Sequence, residues 1–163
     1  MRWRCPICAG DLALLQDGAR CQLGHQFDRA RQGYINLLPV NHKGSREPGD
    51  GAEMIKARRA FLAAGHYQPL ANRLVAIVCD RVRDSSRITG PVNVLDCGCG
   101  EGYYLRQLSQ YMTESQALSL MGLDISKWAV QSAAKQDDKR APISRWVVGS
   151  NAQLPVQSAT LDS

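Results

Sequence analysis

Four residues near the start of the chain have the types and spacing to hold a metal ion. Cys5-Pro-Ile-Cys8 is followed twelve residues later by Cys21-Gln-Leu-Gly-His25, a C-x2-C-x12-C-x3-H pattern. Zinc takes four soft or borderline donors in a tetrahedron, and each close pair can clamp one edge of it. Four protein ligands leave no open position, so a site built from Cys5, Cys8, Cys21 and His25 would be structural. A segment this short has little core, and metal binding would then supply much of its folding energy. The competing reading is a redox Cys-x-x-Cys with an unrelated Cys and His nearby, which makes the second pair a coincidence. His42 or Cys79 could replace a ligand only if their loops folded back.

A second stretch carries different chemistry. Val94-Leu-Asp96-Cys-Gly98-Cys-Gly100-Glu101-Gly102 reads as an apolar strand ending in an acid, then a loop with alternate glycines. Glycine lets backbone approach a ligand closely, and a crevice at the carboxyl ends of parallel strands is where α/β folds bind ligands. A dinucleotide site wants G-x-G-x-x-G with a pyrophosphate on the helix N-terminus. Here the order is G-x-G-x-G, and Asp96 and Glu101 would repel a pyrophosphate but suit an amino group and a sulfonium. Asp124, ending the next strand about twenty residues on, is placed to take ribose hydroxyls. After a third strand, a side-chain amide and backbone groups of Gly149-Ser-Asn-Ala-Gln-Leu-Pro155 could read an adenine edge. Ribose, adenine and a cationic amino acid together make S-adenosylmethionine. A glycine turn that merely packs strand on helix is the bland alternative, and Asp124 in register argues against it. Cys97 and Cys99 read as small packing residues.

The elements that must position these groups alternate strand and helix. A helix is expected from Ala52 to Ala64, and a second from about Pro69 to Arg83 burying Leu70, Leu74, Ile77, Val78 and Val82. Strands are expected at Val92–Asp96, Leu118–Asp124 and Ile143–Val148, with helices at about Gly102–Met112 and Ser126–Lys135 between them. That order implies a parallel sheet of the Rossmann-like α/β class. The expected domains are residues 1–38 as a zinc-binding RNA-recognition module, 39–66 as linker and helix, and 67–163 as the first half of a cofactor-binding domain. Three strands make a small sheet, so a shortened chain is also expected.

Composition narrows the classes. The 163 residues are 44% hydrophobic and 21% charged, with mean hydropathy −0.29, as in a soluble globular protein. No apolar run approaches the roughly 18–20 residues of a membrane span, and no signal-peptide core follows Met1, so a cytoplasmic protein is expected. The net charge of +5 is uneven: ten Lys/Arg face six Asp/Glu through residue 70, and ten face nine after it. A basic first half would suit RNA. Arg2, Arg4, Arg20, Arg29, Arg31 and the Lys43/Arg46 loop are the candidates to grip it, with solvated surface charge as the alternative for each.

Together these residues resemble a family. The glycine loop and its acids look like the first motifs of class I S-adenosylmethionine-dependent methyltransferases. With the zinc pattern, His25-Gln-Phe-Asp28, Gly33-Tyr-Ile-Asn-Leu-Leu-Pro39 and Ala57-Arg-Arg-Ala-Phe61, the chain is similar to the RlmA-type 23S rRNA (guanine-N1)-methyltransferases. The linker Val40–Asp50 looks more like the Gram-negative branch, which modifies nucleotide 745 of an rRNA hairpin, than the branch acting at 748. The resemblance implies one structural zinc on Cys5, Cys8, Cys21 and His25. It also implies S-adenosylmethionine on Asp96, Gly98, Gly100, Glu101, Gly102 and Asp124, with Asn151 and Leu154 at adenine and Tyr67 over the methionine end. A complete family member would have seven strands and could form a homodimer. No residue suggests itself as the catalytic base. The alternatives are a small-molecule methyltransferase carrying a zinc module, and a non-catalytic zinc-and-RNA-binding fragment.

Overall fold

The computed structural model describes residues 1–40, 47–84, 91–111, 118–137 and 145–162. His42, Lys43, Arg46 and the expected strand start at Ile143 lie outside these residues. The first 28 residues fold into an antiparallel sheet in the order β1 (Trp3–Arg4), β2 (Asp11–Leu14), β3 (Gly18–Cys21), β4 (Gln26–Asp28). Its turns bring the two ligand pairs together: Cys21 pairs with Leu12 in register, and the Cys5 N–H donates to Gly10 O.

The second sheet is parallel, in the order β5 (Ile35–Asn36), β8 (Arg145–Val148), β7 (Leu118–Asp124), β6 (Val92–Cys97). Helices α3 (Tyr103–Tyr111) and α4 (Lys127–Gln136) make the crossovers, while α1 (Ala52–Ala63) and α2 (Gln68–Asp84) precede β6. The expected strands and helices thus form within a residue or two of their sequence bounds over the described stretches. Ser126 starts α4 as an N-cap, its Oγ accepting from the Ala129 N–H. The parallel strand β5 is not legible in the sequence, because two residues carry no periodicity.

Strand alternation divides the core. Val92, Val94, Leu120, Trp146 and Val148 face the helices with Val75, Val82, Leu105 and Val130. Met121, Leu123 and Val147 point the other way and share a cluster with Trp3, Cys5, Leu12, Cys21 and Val156. The zinc-ligand sheet therefore covers one face of the parallel sheet. Backbone bonds from Arg4 N to Pro155 O and from Gln157 N to Arg2 O fasten it there.

Helix α2 corrects one expectation. Ala71, Val75 and Val82 are buried, whereas Leu70, Leu74 and Ile77 are 51%, 38% and 50% exposed. The helix carries two apolar stripes about 100° apart, one residue's step around the axis, and the one with smaller side chains packs. Small residues let the helix close on α3, where Gln68 bonds both Gln107 and the Tyr103 hydroxyl.

Trp146 explains two glycines. A Cβ on Gly102 or on Gly122 would collide with its indole ring, and one on Gly122 would also lie 3.0 Å from Cys99 Sγ. Overpacking of this kind costs about 1–3 kcal/mol or more. Gly122→Ala is expected to lower the unfolding free energy by about that amount in urea melts, and Trp146→Leu in the same chain to restore part of it.

Candidate functional site

The metal donors come first. One donor atom from each of Cys5, Cys8, Cys21 and His25 lies within 4.8 Å of every other. Cys8 Sγ is 3.8 Å from Cys21 Sγ, and His25 Nδ1 lies 3.6 Å from Cys5 Sγ and 3.2 Å from Cys21 Sγ. Zinc–sulfur bonds of about 2.3 Å at the tetrahedral angle put two sulfurs about 3.8 Å apart. The donor set and its edges therefore fit zinc, with Nδ1 as the histidine ligand. All six cysteines are free of disulfides. Arg29 serves this module internally: its guanidinium donates to Gln16 O, Gly33 O and Leu15 O. Three of its N–H donors thus hold loops of the module together.

The glycine loop sits at the carboxyl ends of β6 and β7. Gly98 and Cys99 N–H both donate to Leu123 O, and the Gly100 N–H donates to Asp124 Oδ2 at 2.9 Å. Asp124 Oδ1 accepts from the Ser126 N–H at 2.8 Å. Each oxygen of Asp124 keeps a lone pair after these bonds. Gly98 has φ +83°, and a Cβ there would meet nothing within 4 Å, so the loop is open on that side.

Asp96 is the unusual group. Its Oδ2 is buried without a hydrogen-bond partner among the described residues. Burial pushes its carboxyl from the ordinary 3.8 up to about 6; the neighbouring Asp124 charge adds to the rise and the Arg58 guanidinium opposes it. Such an orphaned acid in a cleft has the character of a ligand-binding group. It opens onto a hollow lined by Leu74, Val78, Val94, Tyr104 and Leu108.

The remaining candidates divide. Glu101 is 1% exposed and turns away from the loop, its Oε2 held by Arg106 Nη2 at 2.6 Å and Gln136 Nε2 at 2.9 Å. The structure therefore gives Glu101 two protein partners, Arg106 and Gln136, at the start of α3. Gly102 underlies Trp146 and serves packing, the role of a third glycine in such loops. Tyr67 is exposed and makes edge contact with Phe61, which stacks on His66. Asn151 stands exposed in a turn, and Leu154 leans into the cluster shared with the zinc sheet. Cys99 is buried against Gly122 as expected of a packing residue, but Cys97 is exposed. Arg58, on α1, belongs to the Ala57-Arg-Arg-Ala-Phe61 stretch that carries part of the resemblance, without a role assigned to it there, and it neighbours the loop: its Nε lies 3.4 Å from where a Gly100 Cβ would be.

A parallel sheet with an acid-flanked glycine loop at its carboxyl edge, joined to a zinc ribbon, defines an α/β class I methyltransferase fold with a zinc module. Residues 3–46 match the family model described as RlmA, N-terminal, and residues 94–163 match the methyltransferase domain. A Micromonospora griseorubida protein named as a putative 23S rRNA (guanine-N1)-methyltransferase is 38% identical over 97% of this chain and 55% of its own length. The 23S rRNA (guanine(748)-N1)-methyltransferase of Streptomyces fradiae is 38% identical over 81% of the chain and 44% of its own. A similarly named Bacillus subtilis protein is 29% identical over 98% and 54%. The chain thus resembles an RlmA-type N-terminal zinc ribbon followed by a methyltransferase domain, and over nearly all its residues it is similar to proteins named as 23S rRNA (guanine-N1)-methyltransferases. It spans about half the length of these relatives.

Proposed function

We propose that this chain is the cofactor-binding half of a 23S rRNA (guanine-N1)-methyltransferase that modifies nucleotide 745 in an rRNA hairpin in the cytoplasm. The observation that carries the reading is the buried, unpartnered Oδ2 of Asp96 beside the open face of Gly98. In this reading S-adenosylmethionine, when bound, supplies an electrophilic methyl group. Asp96 accepts from its amino group, Asp124 uses its spare lone pairs on the ribose hydroxyls, and Gly98 and Gly100 let it approach the backbone. Tyr67 borders the methionine end, with Asn151 near adenine. Transfer of that methyl to guanine N1, with S-adenosylhomocysteine as the leaving group, would depend mostly on how these residues position the two reactants. N1 loses its proton to a base outside the assigned residues. The full-length protein is read as a homodimer.

RNA contacts fall on two surfaces in this proposal. Arg2, Arg4 and Arg31 belong to the zinc ribbon. Lys56 and Arg59 of α1 and Lys135 of α4 line a groove with Trp128, which is 40% exposed. Cations with an exposed aromatic suit a single strand, phosphates on the charges and a base on the ring. Replacing Lys56, Arg59 and Lys135 together by alanine is expected to flatten the slope of log K against log salt by about 2, because each phosphate neutralised on a single strand accounts for roughly 0.7. An unchanged slope would remove the groove from the proposal.

The test of the function is nucleoside mass spectrometry. Full-length protein with S-adenosylmethionine and unmodified 23S rRNA should yield 1-methylguanosine. Methyl transfer to a small molecule alone, with the rRNA untouched, would contradict it.

A further inference from the structure

Arg58 lies outside both matched regions, on the helix that joins them. It nevertheless belongs to the site. Ile55 and Leu62, the two buried side chains of α1, stand three residues before it and four after it, so Arg58 is on the stripe that faces the protein. Its guanidinium lies over the Gly100 backbone, with Nε 3.4 Å and Cζ 4.0 Å from the position of a Cβ there. Its charge is felt at both Asp96 and Tyr104. No carboxylate among the described residues is within ion-pairing distance of it; the ion pair of this region joins Arg106 to Glu101.

The loop is thus bracketed by an unpartnered carboxylate and a guanidinium without an ion-pair partner among the described residues. An α-amino acid zwitterion offers the complementary pair, an ammonium and a carboxylate on one carbon. We propose that Arg58 is a positioning and specificity residue that clamps the carboxylate of the methionine moiety, so that Asp96 holds the ammonium and Arg58 selects a carboxylated cofactor. This rests on the reading of the crevice as an S-adenosylmethionine site. A bidentate guanidinium–carboxylate contact is a charge-assisted hydrogen-bond pair, and removing it should cost about 10- to 100-fold in affinity.

The test is calorimetric titration of the zinc-loaded chain with S-adenosylmethionine and with its decarboxylated analogue. The native chain should prefer the carboxylated ligand by about 10- to 100-fold. Arg58→Gln should lose that preference while its affinity for the decarboxylated analogue stays within about threefold. Arg58→Lys, which keeps the charge without the fork, should fall between. Zinc content and melting temperature verify folding of each variant, and Arg58→Lys carries the test if Arg58→Gln fails to fold. Equal weakening of both ligands in the variants, or no preference in the native chain, would overturn the inference while leaving the cofactor site standing. Binding of neither ligand by the folded native chain would overturn the cofactor reading, and this inference with it.

Discussion

Stripping zinc from the chain is expected to unfold the parallel sheet together with the ribbon, in one transition. The zinc-ligand sheet shares a core with the parallel sheet: Trp3, Cys5, Leu12 and Cys21 pack with Met121, Leu123 and Val147. Strand β5 follows the ribbon directly and completes the edge beside β8, with Ile35 opposite Val147. Structural zinc contributes about 10–16 kcal/mol to the folding of small modules, whereas a whole domain is stable by about 5–15 kcal/mol. Loss of the ion therefore rivals the entire stability of the chain. In a chelator titration, helical circular dichroism and tryptophan emission should fall together, and Cys21→Ser should behave as the chelated protein does. Retention of helical signal after the zinc has left would show that the two sheets fold independently.

The second large effect concerns Asp96, where stability and binding should move in opposite directions. Its carboxyl titrates at about 6 in the folded chain against an ordinary 3.8. The folded state binds the extra proton between those values, so the stability contributed by this group is full below about pH 4 and is lost as pH rises through 6. The loss is at most about 3 kcal/mol, reduced by solvent on the open side of the site and by Arg58. Asp96→Asn should recover about 1–3 kcal/mol at pH 7 in urea melts, because it removes a buried charge without changing shape. The same variant should weaken S-adenosylmethionine binding by about 100-fold, since the neutral amide brings no negative charge to the ammonium and presents an NH2 in place of one acceptor oxygen. In the native chain that affinity should rise as pH climbs through 6. A variant that is destabilised, or that binds as well as the native chain, would contradict this role for Asp96.

Much of this arrangement is legible in the sequence, for identifiable reasons. The zinc ligands announce themselves because close pairs of soft donors at fixed spacing have few other uses. The glycine loop and Asp124 are legible because a strand, an acid and glycines follow one another without a gap. Contacts between distant segments are not. Glu101 looks like a ligand acid until Arg106 and Gln136 close on it. Nothing in the sequence marks Gly122, and its need for glycine shows only where Trp146 is laid across it. Arg29 looks like a free cation until three carbonyls take three of its five donors. Helix α2 has two apolar stripes, and the one with the smaller side chains packs, which periodicity does not reveal. Arg58 lies in a stretch that the resemblance marks without giving it a role, and its place beside Gly100 follows from how α1 packs.

Methylation at guanine N1 of 23S rRNA, the central claim, is tested most directly by primer extension on rRNA from cells with and without the gene. A methyl group at N1 blocks the pairing edge and halts reverse transcriptase one nucleotide early. The expected result is a stop at nucleotide 745 that disappears with the gene and returns with the full-length protein, but not with its Asp96→Asn variant. A 23S rRNA without any gene-dependent stop would contradict the claim.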